Sequence, residues 1–148
     1  MCADMFVHVS SNDSASYYTH NTSSLFRVKL NNRLDLKGSW VIGVCDVTVD
    51  DIDVDRNRRG GYTSLLITCD ICTGFIVNGV QTRTLRTVPI QKRLQKVYPV
   101  VMYVPIETYS FDTMEFRVLK GSFEEAVFID KKDNKSGSIC MTLHLKQT

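Results

Sequence analysis

The amino-acid sequence predicts an all-β fold, a single jelly-roll β-sandwich of about eight or nine antiparallel strands with at most one short helix. Three observations lead to this class. Apolar and polar residues alternate in short runs, these runs are rich in Val, Ile, Thr and aromatic residues, and turn-forming residues separate them. Because each strand has one apolar face to bury, a chain of 148 residues built this way must form two packed sheets or a barrel.

The first part of the chain contains runs with the length and pattern of strands. In MFVHVS, for example, Met5, Val7 and Val9 alternate with the residues between them. The predicted strands of this part are Met5–Ser10, Leu25–Leu30, Ser39–Val49, Ser64–Asp70 and Leu85–Ile90. Turn-forming residues are expected at Asn31–Asn32, Lys37–Gly38, Arg59–Gly61, Asn78–Gly79 and Lys120–Gly121. Asn78–Gly79 is the strongest hairpin signal among them.

The second part of the chain continues the same pattern. Its predicted strands are Val97–Val104, Phe111–Leu119, Ala126–Ile129 and Ser138–Lys146. The last of these places Ile139, Met141, Leu143 and Leu145 on one face, as expected of a half-buried strand. The segment Ile90–Val97 has apolar residues at spacings of four and three, which allows one or two helical turns there.

Composition and charge indicate a globular chain and exclude several classes of protein. Hydrophobic residues make up 43% and charged residues 23%, which excludes a disordered or collagen-like chain. Eighteen Lys and Arg against 16 Asp and Glu leave a net charge of +2, so no nucleic-acid or membrane-surface partner is predicted. We expect one domain over residues 1–148, whose residues 1–24 hold an N-terminal strand and a polar segment.

The sequence also bears on the compartment of the protein. We expect synthesis inside the cell, because no signal peptide precedes the first strand. No apolar stretch approaches the roughly 18 residues that a membrane helix needs. Five cysteines at irregular spacing favour reduced thiols in a reducing compartment over a disulfide framework.

Two short motifs were weighed as metal or redox sites. Cys69 and Cys72 have CxxC spacing, but a second ligand pair is missing, and residues three apart on a strand point to opposite faces. They are predicted to be ordinary strand cysteines, one or both of them buried. Asp51, Asp53 and Asp55 match the first positions of a calcium loop, but Arg56 stands where that loop needs glycine.

This acidic and basic loop is the candidate site that we single out. It is expected to be solvated, with its carboxylates neutralised by the neighbouring arginines, and a weak metal site or a subunit contact remains an alternative. The candidate subunit-contact residues are Asp51, Asp53, Asp55, Arg56, Arg58 and Arg59.

Catalysis has little support in the sequence. His8, His20 and His144 are the available bases, and none lies in a recognisable motif. His8 and His144 fall opposite the apolar face of their strands, where exposed histidines are common. We therefore predict no enzymatic activity and no cofactor or metal.

Several segments, in order, resemble the penton-like minor capsid proteins of Polinton/Maverick elements and of adintovirus-like double-stranded DNA viruses. The resemblance rests on Tyr18–Leu30, Leu34–Val44, Leu66–Cys72 with Leu85–Val88, Tyr103–Ile106 before Phe111–Val118, and Thr142–Lys146. It spans residues 17 to 147. The sequence departs from the family pattern at Phe123–Ile129, where Glu124 and Glu125 replace a glycine-centred motif, and at Leu145, where Phe is more common.

The resemblance implies a single jelly roll that forms a homopentamer at the fivefold vertices of an icosahedral capsid. The main shell would be built from a double jelly-roll major capsid protein, and the protein would be located in the virion. In that case Trp40, Tyr103 and Pro105 would be determinants of the fold. The loops Asp50–Gly61 and Asp130–Gly137 would face other subunits or solvent.

The alternative is a soluble β-sandwich binding module, lectin-like or cytokine-like, which recognises carbohydrate or protein through its loops. Such a module is expected to be a monomer or a trimer with a ligand pocket. A penton subunit is expected to form a pentamer without ligand.

Overall fold

The computed structural model describes residues 3–12, 18, 20–129 and 138–148. Its elements in chain order are β1 (Asp4–Ser10), β2 (Leu25–Asp35), β3 (Trp40–Asp50), α1 (Val54–Arg58), β4 (Ser64–Cys69), β5 (Ile76–Val77), β6 (Val80–Gln81), β7 (Thr84–Pro89), β8 (Arg93–Val97), β9 (Tyr103–Pro105), β10 (Ser110–Leu119) and β11 (Ser138–Gln147). Within these ranges no helix is long and apolar enough to cross a membrane.

The strands form two antiparallel sheets packed as a jelly-roll sandwich, which confirms the predicted fold class. One sheet has the order β1-β11-β3-β8, with β9 also paired to β3, and the other has the order β2-β10-β4-β7. The pairing is nested: β1 pairs with β11, β2 with β10, β3 with β8 and β4 with β7. This is the pattern of one long hairpin rolled up, and the pairs β11·β3 and β10·β4 close the roll.

The core lies between the two sheets. Phe26 of β2 stacks on Phe116 of β10 with ring centroids 5.3 Å apart, and both side chains are fully buried. The apolar face predicted for the last strand is confirmed, because Ile139, Met141, Leu143 and Leu145 are all fully buried. Trp40 is also buried, and its indole N–H donates to the carbonyl oxygen of Lys37 at 2.9 Å.

The predicted helix at Ile90–Val97 is wrong. Residues 93–97 form β8, an edge strand that pairs with β3, and the buried Leu94 alternates with exposed Arg93 and Gln95. Backbone hydrogen bonds to β3 outweigh a local pattern that was compatible with either structure. The helix that the described residues do contain is α1, which lies in the loop expected to be irregular.

Other predicted boundaries differ from the structure in a similar way. The turn expected at Asn31–Asn32 is absent, because β2 runs on to Asp35 and its end pairs with β10. The predicted strand Val97–Val104 is divided between β8 and β9, and Ala126–Ile129 contributes only the isolated bridging residue Phe128, opposite Ile52.

The hairpin predicted at Asn78–Gly79 is confirmed. Asn78 and Gly79 have φ angles of 50° and 79°, and they join β5 to β6. Positive φ at both central residues matches the tight turn that this dipeptide favours.

Candidate subunit-contact surfaces

The loop between β3 and β4 is more ordered than the sequence predicts. Asp53 caps the N-terminus of α1, because its Oδ1 accepts a hydrogen bond from the backbone N–H of Arg56 at 3.0 Å. The Arg56 side chain also forms an ion pair with the same carboxylate, with Nε 3.5 Å from Oδ2. These contacts hold a helix of five residues where the sequence indicates a solvated loop.

Asn57 connects this loop to the rest of the sandwich through side-chain hydrogen bonds. Its side-chain nitrogen donates to the carbonyl oxygens of Asp53 at 2.6 Å and Val127 at 2.7 Å, and its Oδ1 accepts from the Val127 N–H at 2.9 Å. The side chain is fully buried. Sequence reasoning missed this residue, because an asparagine in a polar loop usually faces solvent.

The six candidate contact residues therefore divide into two groups. Asp51 and Asp53 are partly buried, and Asp53 has the capping role described above. The exposed members are Asp55, Arg56, Arg58 and Arg59. Because three of these four are arginines, the outer surface of the loop is basic. The second predicted contact loop, Asp130–Gly137, lies outside the described residues.

A second surface lies at the edge of the sandwich where β7 and β9 are found. A groove of about 460 Å³ is formed there by Phe75, Ile76, Val77, Asn78, Arg86, Thr87 and Met102. Its rim is unusually apolar for a surface, because Ile76 is 69% exposed and Met102 is 50% exposed. We call this surface the β7–β9 groove.

Arg86 gives this groove a positive charge. Its guanidinium lies over the ring of Tyr98, 3.7 Å from the ring centroid. Its Nη1 atom is shielded from solvent, yet no hydrogen-bond acceptor is within reach among the residues that the structure describes. A shielded donor without an acceptor is costly. Arg86 as a whole is only half-buried and lines the groove, so its positive charge can attract an anionic group there.

A third surface lies on the outer face of the other edge, around β1. The Phe6 ring stacks on the His144 ring with centroids 4.5 Å apart, and Phe6 remains 66% exposed. His144 bridges Asp4 and Tyr103: its Nε2 is 3.2 Å from Oδ2 of Asp4, and its Nδ1 is 2.8 Å from the Tyr103 hydroxyl. We call Asp4 and Phe6 together the β1 patch.

The hydrogen bonds of His144 connect the strands β1 and β9 across β11. A carboxylate can only accept, so Nε2 carries a proton toward Asp4, and in the neutral imidazole Nδ1 then accepts from the Tyr103 O–H. Desolvation raises the pKa of Tyr103, which keeps its phenol protonated as a donor. The sequence led us to expect an exposed His144, but its side chain is only 14% exposed because Phe6 covers it. His8 is exposed, as expected.

The CxxC cysteines are both buried, as predicted. The expected orientation to opposite faces is wrong, since β4 ends at Cys69 and the chain turns, which brings Cys72 Sγ within 3.5 Å of the Cys69 carbonyl oxygen. Burial raises the pKa of Cys69 well above its usual value, so its reactive thiolate form is suppressed. No group of three or more His, Cys, Asp or Glu side chains that could hold a metal is found in the described ranges.

Comparison with known proteins gives a similarity in structure. No protein-family model matches the chain, and no curated protein matches it in sequence. Among solved structures, the crystal structure of selenomethionine-labelled mavirus penton protein matches with a TM-score of 0.58 and 7% sequence identity. The match covers 97% of this chain and 99% of the mavirus chain. At this identity the similarity shows a shared jelly-roll fold.

Proposed function

We propose that this chain is a penton subunit, a minor capsid protein of which five copies occupy each fivefold vertex of an icosahedral viral capsid. The observation that carries the proposal is the near end-to-end structural similarity to the mavirus penton protein. Because the similarity includes the whole jelly roll and nearly the whole of both chains, it supports more than a shared supersecondary motif.

The surface of the subunit supports an assembling protein. The β7–β9 groove and the β1 patch leave large apolar side chains exposed. Such features are costly on a protein that functions as a monomer, but they are ordinary at an interface. A ring of identical subunits also needs two different surfaces per subunit, since each contact is heterologous.

The proposal includes the partners that the sequence resemblance implies. The chain would form a homopentamer, and this pentamer would contact a double jelly-roll major capsid protein in the virion. The virus would belong among Polinton/Maverick elements and adintovirus-like viruses. We assign the exposed Asp55, Arg56, Arg58 and Arg59 to contacts with neighbouring subunits, because the ordered α1 presents them together on one loop.

The first test is the mass of the purified chain in solution. Light scattering after size exclusion, over a hundredfold range of protein concentration and at two salt concentrations, is expected to show a species of five subunits of 16.8 kDa each. Electron microscopy of that species is expected to show fivefold rings.

Other outcomes would redirect the assignment. A trimer, or a monomer that binds glycans on an array, would favour the lectin-like or cytokine-like binding module. A strict monomer at the highest concentration would contradict a pentamer that forms without the major capsid protein.

A further inference from the structure

The β1 patch and the β7–β9 groove lie at opposite edges of the sandwich. In the sheet that contains β1, two strands (β11 and β3) separate β1 from β8 and β9. Met102 directly precedes β9, and Arg86 lies on β7, the edge strand of the facing sheet on that side. The two surfaces are therefore separated by the width of the sandwich, so one copy can contact a different neighbour through each of them.

One row of the sheet links Phe6 of the β1 patch to the Met102 side of the groove rim. Phe6 pairs with His144 across β1 and β11, His144 pairs with Gly43 of β3, and Gly43 pairs with Tyr103 of β9. This row of the sheet ends beside Met102, on the rim of the groove. A contact between Phe6 and the Met102 rim can therefore form by a pure rotation about an axis along the strands, whereas a contact that needs a shift along such an axis would produce a helical filament.

The chemistry of the two surfaces is complementary. The β1 patch offers an aromatic ring and, two residues earlier on the same face of the strand, a carboxylate whose side chain is 61% exposed. The β7–β9 groove offers apolar walls and the positive charge of the half-buried Arg86. A Phe and a carboxylate fit such a groove as an apolar anchor and an opposite charge.

We propose that Phe6 of one copy inserts into the β7–β9 groove of the next copy, with its Asp4 carboxylate beside the Arg86 guanidinium. This inference rests on the proposed function and names the contact that closes the ring. The contact would bury the exposed Phe6 ring together with Ile76 and Met102. It would also place an Asp4 oxygen near the positive charge of Arg86, while the other oxygen stays with His144.

The test uses one variant on each surface and a matched control. Phe6→Asp changes an exposed side chain of the patch, and Ile76→Asp changes an exposed side chain of the hairpin that forms the groove rim. Neither side chain is in the core, so both variants should fold. Tyr109→Ser is the control, since it also removes an exposed aromatic ring but lies on neither surface.

Sedimentation velocity over a range of concentrations is the measurement. Each aspartate is expected to weaken the contact by roughly thirtyfold or more, as for a central interface residue, so that both variants are monomers where the wild type is a pentamer. Tyr109→Ser is expected to remain a pentamer. Asp4→Asn is expected to weaken assembly by only about two- to fivefold, because it removes one exposed charge and keeps an acceptor.

Mixing the two variants provides the sharper test. The groove of Phe6→Asp and the patch of Ile76→Asp are both intact, so one native contact can form between the two proteins. The β1 patch of Phe6→Asp and the groove of Ile76→Asp are blocked by the introduced aspartates. An equimolar mixture at high concentration is therefore expected to give dimers of two subunits and no larger species.

The outcomes separate this contact from the proposed function. If the wild type is a pentamer and both aspartate variants remain pentamers, the contact is wrong and the penton assignment stands. If the wild type forms an assembly of another size that depends on Phe6 and Ile76, the contact stands and the penton assignment is wrong. If the wild type does not self-associate at any concentration, this contact is overturned, and so is a pentamer that forms without the major capsid protein.

Discussion

Replacing Asn57 by alanine tests the account of the ordered loop between β3 and β4. The substitution removes two side-chain donors to the carbonyl oxygens of Asp53 and Val127 and one acceptor for the Val127 N–H. Each carbonyl keeps a second donor, since Asp53 O also accepts from the Asn57 N–H and Val127 O from the Asp53 N–H. The Val127 N–H loses the acceptor described for it and becomes a shielded donor without a partner.

The expected loss of stability follows from these contacts. A hydrogen bond inside a folded protein contributes about 1 kcal/mol net, so three of them amount to about 3 kcal/mol of the free energy of unfolding. For a domain of this size that loss lowers the melting temperature by roughly 6 to 12 °C. Because the side chain is fully buried, solvent water cannot readily replace the lost bonds.

Urea unfolding followed by the fluorescence of Trp40, the single tryptophan, measures this change. The titration should be repeated at several protein concentrations, because assembly would stabilise the folded state. Arg56→Ala is the control: its exposed ion pair with Asp53 should contribute about 0.5 kcal/mol or less. If Asn57→Ala loses no more stability than Arg56→Ala, the loop is not held by Asn57 and our description of it is wrong.

Three further predictions concern the two sheets. Phe116→Ala removes the ring stacked on Phe26 and should lower the free energy of unfolding in urea by about 3 to 5 kcal/mol. A loss below about 1 kcal/mol would contradict the packing described. Gly43→Ala should lower the free energy of unfolding by about 1 to 3 kcal/mol in the same assay, because the added Cβ would lie 2.8 Å from the backbone oxygen of Met102. An unchanged urea midpoint would show that the segment before β9 can move to accept the methyl group. Burial raises the pKa of Asp70, so its ionised form destabilises the fold and stability falls as pH rises through that pKa. Asp70→Asn should therefore be more stable than the wild type at pH 7, and this advantage should shrink toward pH 4; a constant difference at both pH values would refute the assignment.

Much of the fold could be predicted because it depends on a simple periodicity. In β11, alternate side chains face the core, and the buried set Ile139, Met141, Leu143 and Leu145 could be read directly from the sequence. The Asn78–Gly79 hairpin could be predicted for a similarly local reason, since both residues tolerate the positive φ angles of the turn. The segment Ile90–Val97 was mispredicted because its spacing is compatible with helix, and only pairing with β3 makes it a strand.

The candidate surfaces could be predicted only in part. The exposed arginines of the loop after β3 were identified from composition, but the burial of Asn57 depends on Val127, seventy residues away in the sequence. The β1 patch and the β7–β9 groove carry no local signal. Phe6 has the pattern of an ordinary strand residue, and Arg86 that of an ordinary exposed basic residue.

The sequence by itself determined the class of this protein: an all-β sandwich whose strands each have one apolar face, with tight turns where Asn and Gly permit them. These properties are local, because they depend on the chemistry of neighbouring residues and on the two-residue period of a strand. The tertiary structure decided which strands became edges, which polar side chains were buried, and which residues met on one row of a sheet. Those outcomes depend on contacts between distant segments, and a single sequence does not specify such contacts through any local pattern.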